Sequence, residues 1–424
     1  MTTTPFVHPG MRLPFILLVV CFAAWGVAAN MTDPLVQVFS RIFSMTTLQA
    51  SFVQFAYYGA YFLLALPAAF INRRFSYKTG ILTGLGCAIM GAFLFYPAAQ
   101  AMTFGFFLMA LFLLAGGLSI LETSANPFVM AMGPEANGTR RLNLAQAFNP
   151  VGTNIGVFLA ATLILPQLNT ASAQDRAAMT PGALRTVQQA ELQAVMTPYV
   201  GFAFVLLVLW VVIALIRMPT RREQHEETAP LQFKATIVRL LRNRHYAFGV
   251  TAQFFNVAAQ TCAWTFTIQY VLGTIGGTEA QAGWYLQASL IVFLVARFVM
   301  VWLMGVFRPA MLLAVMALLG TGLCFLAAAG PGMAGVWAVV ALSACLSLMF
   351  PTIYGIALHG LGEDTKFGAA GLVMAILGGA VMPLVHGAVL DAQGAAVAYI
   401  VPGLCFLVVA AYGIFDLNTS RRSA

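Results

Sequence analysis

Charge is what this sequence lacks. Lysine, arginine, aspartate and glutamate make up 8% of 424 residues, against 61% hydrophobic residues. A soluble domain carries about a quarter charged residues, so the composition excludes an ordinary soluble protein and points to a polytopic membrane protein. Cysteine is also scarce. The six (Cys21, Cys87, Cys262, Cys324, Cys345, Cys405) all fall in apolar stretches without CxxC or zinc-ligand spacing, which argues against a disulfide framework or structural metal. Five histidines are scattered, and of these only His386 lies in an apolar stretch, where a satisfied packing role is expected. No phosphate-binding glycine loop, GxSxG elbow, HExxH or kinase set occurs, so ATP-driven transport and hydrolysis lack support.

Long apolar runs fill the chain instead. About 20 apolar residues span the hydrocarbon, and punctuation by proline, glycine and charge marks twelve spans. They lie near 12–32, 48–71, 79–98, 102–130, 143–166, 197–217, 247–272, 282–305, 309–329, 332–358, 367–390 and 396–416. The fold class expected is all-α integral membrane. The first span has no convincing cleavage site and leads directly into more spans, unlike a signal peptide.

The net charge of +8 reports topology and does not call for nucleic acid. With the N-terminus inside, seventeen Lys and Arg fall on inner segments and three (Arg41, Arg176, Arg185) on outer ones. That asymmetry places both termini in the cytoplasm. The longest polar inner segment, 218–245, divides the chain into an N-terminal six-helix bundle (1–217) and a C-terminal one (246–424). Its second part, LQFKATIVRLL, is amphipathic and suited to a membrane surface. The halves echo each other. Asn126-Pro127-Phe128 leads to Gly133-Pro134-Glu135, as Phe350-Pro351-Thr352 leads to Gly362-Glu363-Asp364. The offset is 224 at the prolines (351 − 127) and 228 at the acids (363 − 135). Paired repeats of this kind place substrate at the membrane midplane.

Glu122 is the only charged residue between Lys78 and Glu135. An ionised carboxylate at bilayer depth costs about 2.5–3.5 kcal/mol or more, so such a residue is a functional-site candidate by default. Asp33 closes the first span and sits near the outer edge of the hydrocarbon, 1.5 Å of rise per residue being about the helical value. Arg297 is the one base inside a span, and its position near the inner end of the eighth suggests snorkelling or a helix-end contact.

Carboxamides are unusually common in the spans: Asn30, Asn126, Gln146, Asn149, Asn154, Gln253, Asn256, Gln260, Gln269 and Gln287. Asn126 follows Glu122 by four, so both share a helix face. Gln146 and Asn149, three apart, share another, as do Asn256, Gln260 and Trp264. Amides hydrogen-bond hydroxyls, while Trp25 and Trp264 offer flat apolar walls. The set suits a neutral polyhydroxylated ligand. An anionic one would call for inward-facing bases, and only Arg297 is available.

Several blocks resemble the L-fucose permease family, the fucose/galactose/glucose proton-symporter branch of the major facilitator superfamily. They include FVQFAYYGAYFLLALPAAF (52–70), SYKTGILTGLG (76–86), LETSANPFVMAMGPE (121–135) and RLNLAQAFNPVG (141–152) in the first half. RHYAFGVTAQFFNVAAQTCAWTF (244–266), ARFVMVWL (296–303), FPTIYGIALHGLGEDTKFGAAGLVMAILGGAVMP (350–383) and LDAQG (390–394) continue it. The resemblance implies the twelve-helix major facilitator fold in two bundles and proton-coupled sugar uptake in a bacterial inner membrane. It maps the functional carboxylate pair onto Asp33 and Glu122, and polar sugar-facing positions onto Asn30, Gln146 and Asn149. With Trp25, Asn126, Gln260, Trp264 and Phe350 these form the expected sugar-binding set. Two positions depart from the family: Pro34 follows Asp33 where fucose permeases carry Ile, and Phe350 replaces a Tyr.

The expected partners are a small neutral sugar, protons and the lipid bilayer, with no nucleic acid, no cofactor beyond the coupling proton, and a monomeric state. Other readings of the same residues are a drug-exporting antiporter, a non-transporting sugar sensor and, more remotely, a membrane enzyme.

Overall fold

The computed structural model describes residues 5–42, 47–101, 103–169, 171, 175–176, 178–218 and 233–422; at 30–42, 47–52 and a few further positions it describes the backbone alone. Among the described residues all regular structure is helical. Among those residues eleven helical stretches, from Pro9–Ala29 to Ala395–Thr419, are long and apolar enough to cross a membrane. They match eleven of the twelve expected spans. The remaining one, 247–272, is built by two helices that meet at Phe266, and its carboxamides make it the least apolar of the set.

In chain order the helices are α1 (Arg12–Ile42), α2 (Thr47–Arg74), α3 (Tyr77–Ala101), α4 (Phe104–Ala131), α5 (Gly138–Gln146), α6 (Asn149–Leu159), α7 (Pro181–Leu215) and α8 (Phe233–Arg242). Then follow α9 (Arg244–Thr265), α10 (Thr267–Thr274), α11 (Glu279–Leu303), α12 (Pro309–Ala329), α13 (Met333–Leu346) and α14 (Met349–Leu358). The chain closes with α15 (Thr365–Met374), α16 (Gly378–Gln393), α17 (Ala395–Ala398) and α18 (Ile400–Arg422). One expectation fails at once. Asp33 does not end the first helix, because α1 runs through Pro34 to Ile42.

The chain packs as two compact units. Unit I draws on Arg12–Ala125 and Phe148–Thr220; unit II draws on Met1–Met11, Asn126–Ala147 and Arg221–Ala424. This differs from a cut at the linker by one N-terminal segment and by residues 126–147, and hydrogen bonds inside unit II give the reason. Arg140 Nε donates to the Val301 carbonyl at 3.0 Å, and Asn143 Nδ2 donates to Thr352 Oγ1 at 3.2 Å. Arg141, wholly buried, donates to the carbonyls of Val129 (2.7 Å), Phe6 (2.9 Å) and Met130. A cation on the last carbonyls of α4 meets the unsatisfied acceptors and the negative end of the helix dipole, so it needs no acid there.

The repeat proposed from sequence has a structural counterpart. A 3-10 turn enters each of two helices, Glu135–Asn137 before α5 and Gly362–Asp364 before α15. Each helix is then interrupted, at Ala147–Phe148 and at Ala375–Leu377, an offset of 228 (375 − 147). Within unit I, α1 and α6 cross at Gly26 and Gly152. A Cβ on Gly26 would lie 2.1 Å from the Asn149 carbonyl oxygen, and one on Gly152 would lie 1.8 Å from that of Ala23. Only glycine permits backbones that close.

The amphipathic segment forms α8, with Thr236 and Leu240 buried and Phe233 against Phe367 at 5.7 Å. Its apolar face therefore packs on the protein. Arg239 on the same helix pairs with Asp364 at 2.6 Å, and that carboxylate pushes the guanidinium pKa further up. Residues 219–232 of the linker lie outside the described residues.

Candidate functional site

Prolines open the helices at two points where the polar residues gather. A proline within a helix has no N–H to give to the carbonyl four residues earlier, which must find another donor. Pro127 in α4 frees the carbonyl of Thr123, and Asn72 Nδ2 reaches it at 3.5 Å. Pro150 at the start of α6 frees the carbonyl of Gln146, and Arg297 Nη1 donates to it at 2.9 Å.

At that second break α5 ends at Gln146 and α6 begins at Asn149, while Ala147 and Phe148 between them keep right-handed helical dihedrals. The two amides have separate partners. Gln146 Nε2 donates to Asn126 Oδ1 at 2.8 Å within unit II. Asn149 Nδ2 instead donates to the Phe22 carbonyl at 3.3 Å within unit I. Snorkelling is wrong for Arg297. Its side chain is buried in unit II, with the guanidinium 4.8 Å from the Phe293 ring centroid. The helix-end contact is right, since the carbonyl it meets closes α5.

Glu122 lies on α4 in unit I with 1% of its surface exposed. The helix is continuous from Phe104 to Ala131, so Glu122 and Asn126 keep the shared face expected from their spacing of four. Three residues before Glu122, Ser119 Oγ donates to the Tyr61 carbonyl at 2.9 Å. Tyr61, on α2, is itself buried, within electrostatic range of Glu122, and accepts a 2.9 Å hydrogen bond on its hydroxyl from Trp25 Nε1. Tyr61 was not singled out from sequence. Its signal was faint, one tyrosine of three in YYGAY on a span without polar periodicity.

Unit II holds the amides. Asn126, Gln253 and Asn256 are wholly buried and Gln146 nearly so, whereas Gln260 and Trp264 are half-buried. Trp264 Nε1 donates to Ser343 Oγ at 3.1 Å, and its ring meets Phe293 edge-on at 4.9 Å. Phe350, the position without the family hydroxyl, is buried and stacks on Tyr354 at 6.2 Å. Among the described residues Asn126 Nδ2, Gln253 Oε1 and both side-chain polar atoms of Asn256 have no hydrogen-bond partner. A buried polar group left unsatisfied costs about 1–3 kcal/mol. Asn30 and Asp33 lie on α1, and their side chains are outside those described.

His386 also departs from expectation. It is wholly buried and stacks on Phe266 at 4.2 Å, but neither ring nitrogen has a hydrogen-bond partner among the described residues. Packing holds it, without the satisfied contacts expected.

Residues 15–376 match the model of the Major Facilitator Superfamily. The chain belongs to that superfamily. An L-fucose-proton symporter of Haemophilus influenzae is 40% identical over 420 residues, covering 95% of this chain and 96% of that one. A glucose/galactose transporter of Brucella abortus is 33% identical, covering 94% and 92%. The crystal structure of the superfamily transporter FucP in the outward conformation superposes with a TM-score of 0.90 at 38% identity, covering 96% of this chain and 99% of that one. These relatives place the chain in the L-fucose permease branch as an integral membrane protein.

Proposed function

We propose that the protein is a proton-coupled symporter that imports a neutral monosaccharide, L-fucose or a related hexose, by alternating access. The observation that carries this reading is α4, where a buried acid, Glu122, stands about one turn before Asn126, whose side-chain oxygen accepts from Gln146 of α5. Sugar hydroxyls both give and accept hydrogen bonds, as amides do, and a carboxyl that can gain a proton removes the cost of occluding a charge. The relatives are named for L-fucose–proton symport and for glucose/galactose transport, which supports both halves of the reading.

In this reading Glu122, with Asp33, carries the coupled proton. Asn30, Trp25, Asn126, Gln146, Asn149, Gln260, Trp264 and Phe350 receive the sugar. The protein works as a monomer in a bacterial inner membrane, with both termini in the cytoplasm, bundles 1–217 and 246–424, and no cofactor beyond the proton.

The test is uptake of labelled L-fucose, D-galactose, D-glucose, D-mannose and N-acetylglucosamine by cells expressing the protein, with and without a protonophore. The expected result is accumulation of at least one sugar that the protonophore abolishes. Flat uptake across the panel, or accumulation that ignores the protonophore, sinks the reading.

A further inference from the structure

Gln253, Asn256, Gln260 and Trp264 fall at spacings of three, four and four on the unbroken helix α9, so they line one face. Along that face burial rises in one direction. Trp264 and Gln260 are half-buried, whereas Asn256 and Gln253 have no exposed surface. Apolar residues flank the buried pair, Ala252, Val257 and Ala259 being equally enclosed or nearly so.

Such surroundings would suit Leu or Met at position 256. Asn256 stands there instead, with neither its oxygen nor its nitrogen hydrogen-bonded among the described residues. Gln253 Oε1 is in the same condition, and Gln253 Nε2 has only the Phe350 carbonyl, at 3.5 Å. Buried polar atoms in native proteins are nearly always partnered, so two adjacent amides with three orphaned atoms mark a place where a polar partner arrives. Both residues are neutral, and each amide has a donor and an acceptor. They therefore match a hydroxyl, which both gives and accepts a hydrogen bond.

From this we infer that Asn256, supported by Gln253, is a specificity-determining position that reads a hydroxyl of the transported monosaccharide. Trp264 and Gln260 are the outer steps of the same amide face. The inference rests on the sugar-symport reading and adds to it a residue outside the set assigned above. Asn256 discriminates because an amide aimed at a hydroxyl loses its partner when the sugar presents a C–H there, and the buried orphan then weighs against that sugar.

The experiment is binding and proton-independent counterflow of L-fucose, D-galactose and D-glucose, using the purified full-length protein in liposomes. Wild type is compared with Asn256→Leu and Asn256→Ser. Loss of one such hydrogen bond corresponds to about a tenfold change in affinity. The expected result is that Asn256→Leu weakens the best-bound sugar by about tenfold and alters the preference among the three, while Asn256→Ser keeps part of both. A merely structural amide would move the melting temperature and leave the preference ratios alone, so unchanged ratios with intact binding overturn the inference while leaving sugar symport standing. If wild type binds none of the three sugars, nor D-mannose or N-acetylglucosamine, both fall together. Should Asn256→Leu fail to fold, Asn256→Ser and Gln253→Leu carry the same comparison, and wild-type ratios in both overturn the assignment.

Discussion

The two units bury polarity with different chemistry. In unit I the polar groups on and around α4 are an acid, hydroxyls and one amide, Asn72, whose oxygen and nitrogen are both bonded. Thr123 Oγ1 donates to the Ser119 carbonyl at 2.8 Å, Ser124 Oγ donates to Asn72 Oδ1 at 2.9 Å, and Trp25 donates to Tyr61. In unit II the groups are amides from α4, α5 and α9, several of them with atoms still open. The difference separates two tasks. An acid changes charge when it takes a proton, whereas an amide keeps its charge and offers fixed hydrogen bonds at any pH. Under the proposed function, unit I holds the acid that would carry the coupled proton, and unit II holds most of the amides that would meet a sugar.

The largest expected effect breaks that division at its acid. Glu122→Gln keeps size and polarity but removes titration. Sugar accumulation should fall to simple equilibration, while counterflow exchange, which moves no net proton, persists. Wild-type accumulation by this variant would remove Glu122 from the coupling step and leave the two units without a functional contrast.

A smaller effect is expected at Arg297, where unit II covers a proline-freed carbonyl with a charged donor. Arg297→Met should leave the Gln146 carbonyl buried without its 2.9 Å partner and remove the contact with Phe293. An unsatisfied buried acceptor costs about 1–3 kcal/mol. The measurement is thermal melting in detergent, with a clear fall expected. An unchanged melt would mean that another group satisfies the break.

Most of the fold was legible because a span is a matter of length and polarity, which the sequence states directly. One span is distinctive: α9 with α10 carries Gln253, Asn256 and Gln260 and is the least apolar of the twelve, so the residues that dilute it also point to its use. Continuity was harder to read. Asp33 looked like the end of the first span, yet α1 passes through it and Pro34, whereas Pro150 follows the break between α5 and α6, and Gln146 and Asn149 have separate partners. One residue type gives both outcomes. No local pattern announces that Arg297, 151 positions away, will serve Gln146. Tyr61 was missed for the same reason, since its importance comes from Trp25 and Glu122 on other helices.

The smallest effect tests whether proline-freed carbonyls in the two units are alike. Thr123 in unit I has Asn72 at 3.5 Å, a long neutral contact, where Gln146 in unit II has a guanidinium at 2.9 Å. Hydrogen bonds to charged groups contribute about 1.5–3 kcal/mol and neutral ones about 0.5–1.5, and a stretched neutral bond belongs at the bottom of that range. Asn72→Ala also removes the acceptor for Ser124, but Ser124 Oγ has a second acceptor in the Ile120 carbonyl at 2.7 Å, so that loss is softened. Asn72→Ala should therefore lower the melting temperature by less than Arg297→Met does in the same detergent. If it lowers it as much or more, distance and charge do not rank the two sites, and unit I depends on its neutral bonds as heavily as unit II depends on its cation.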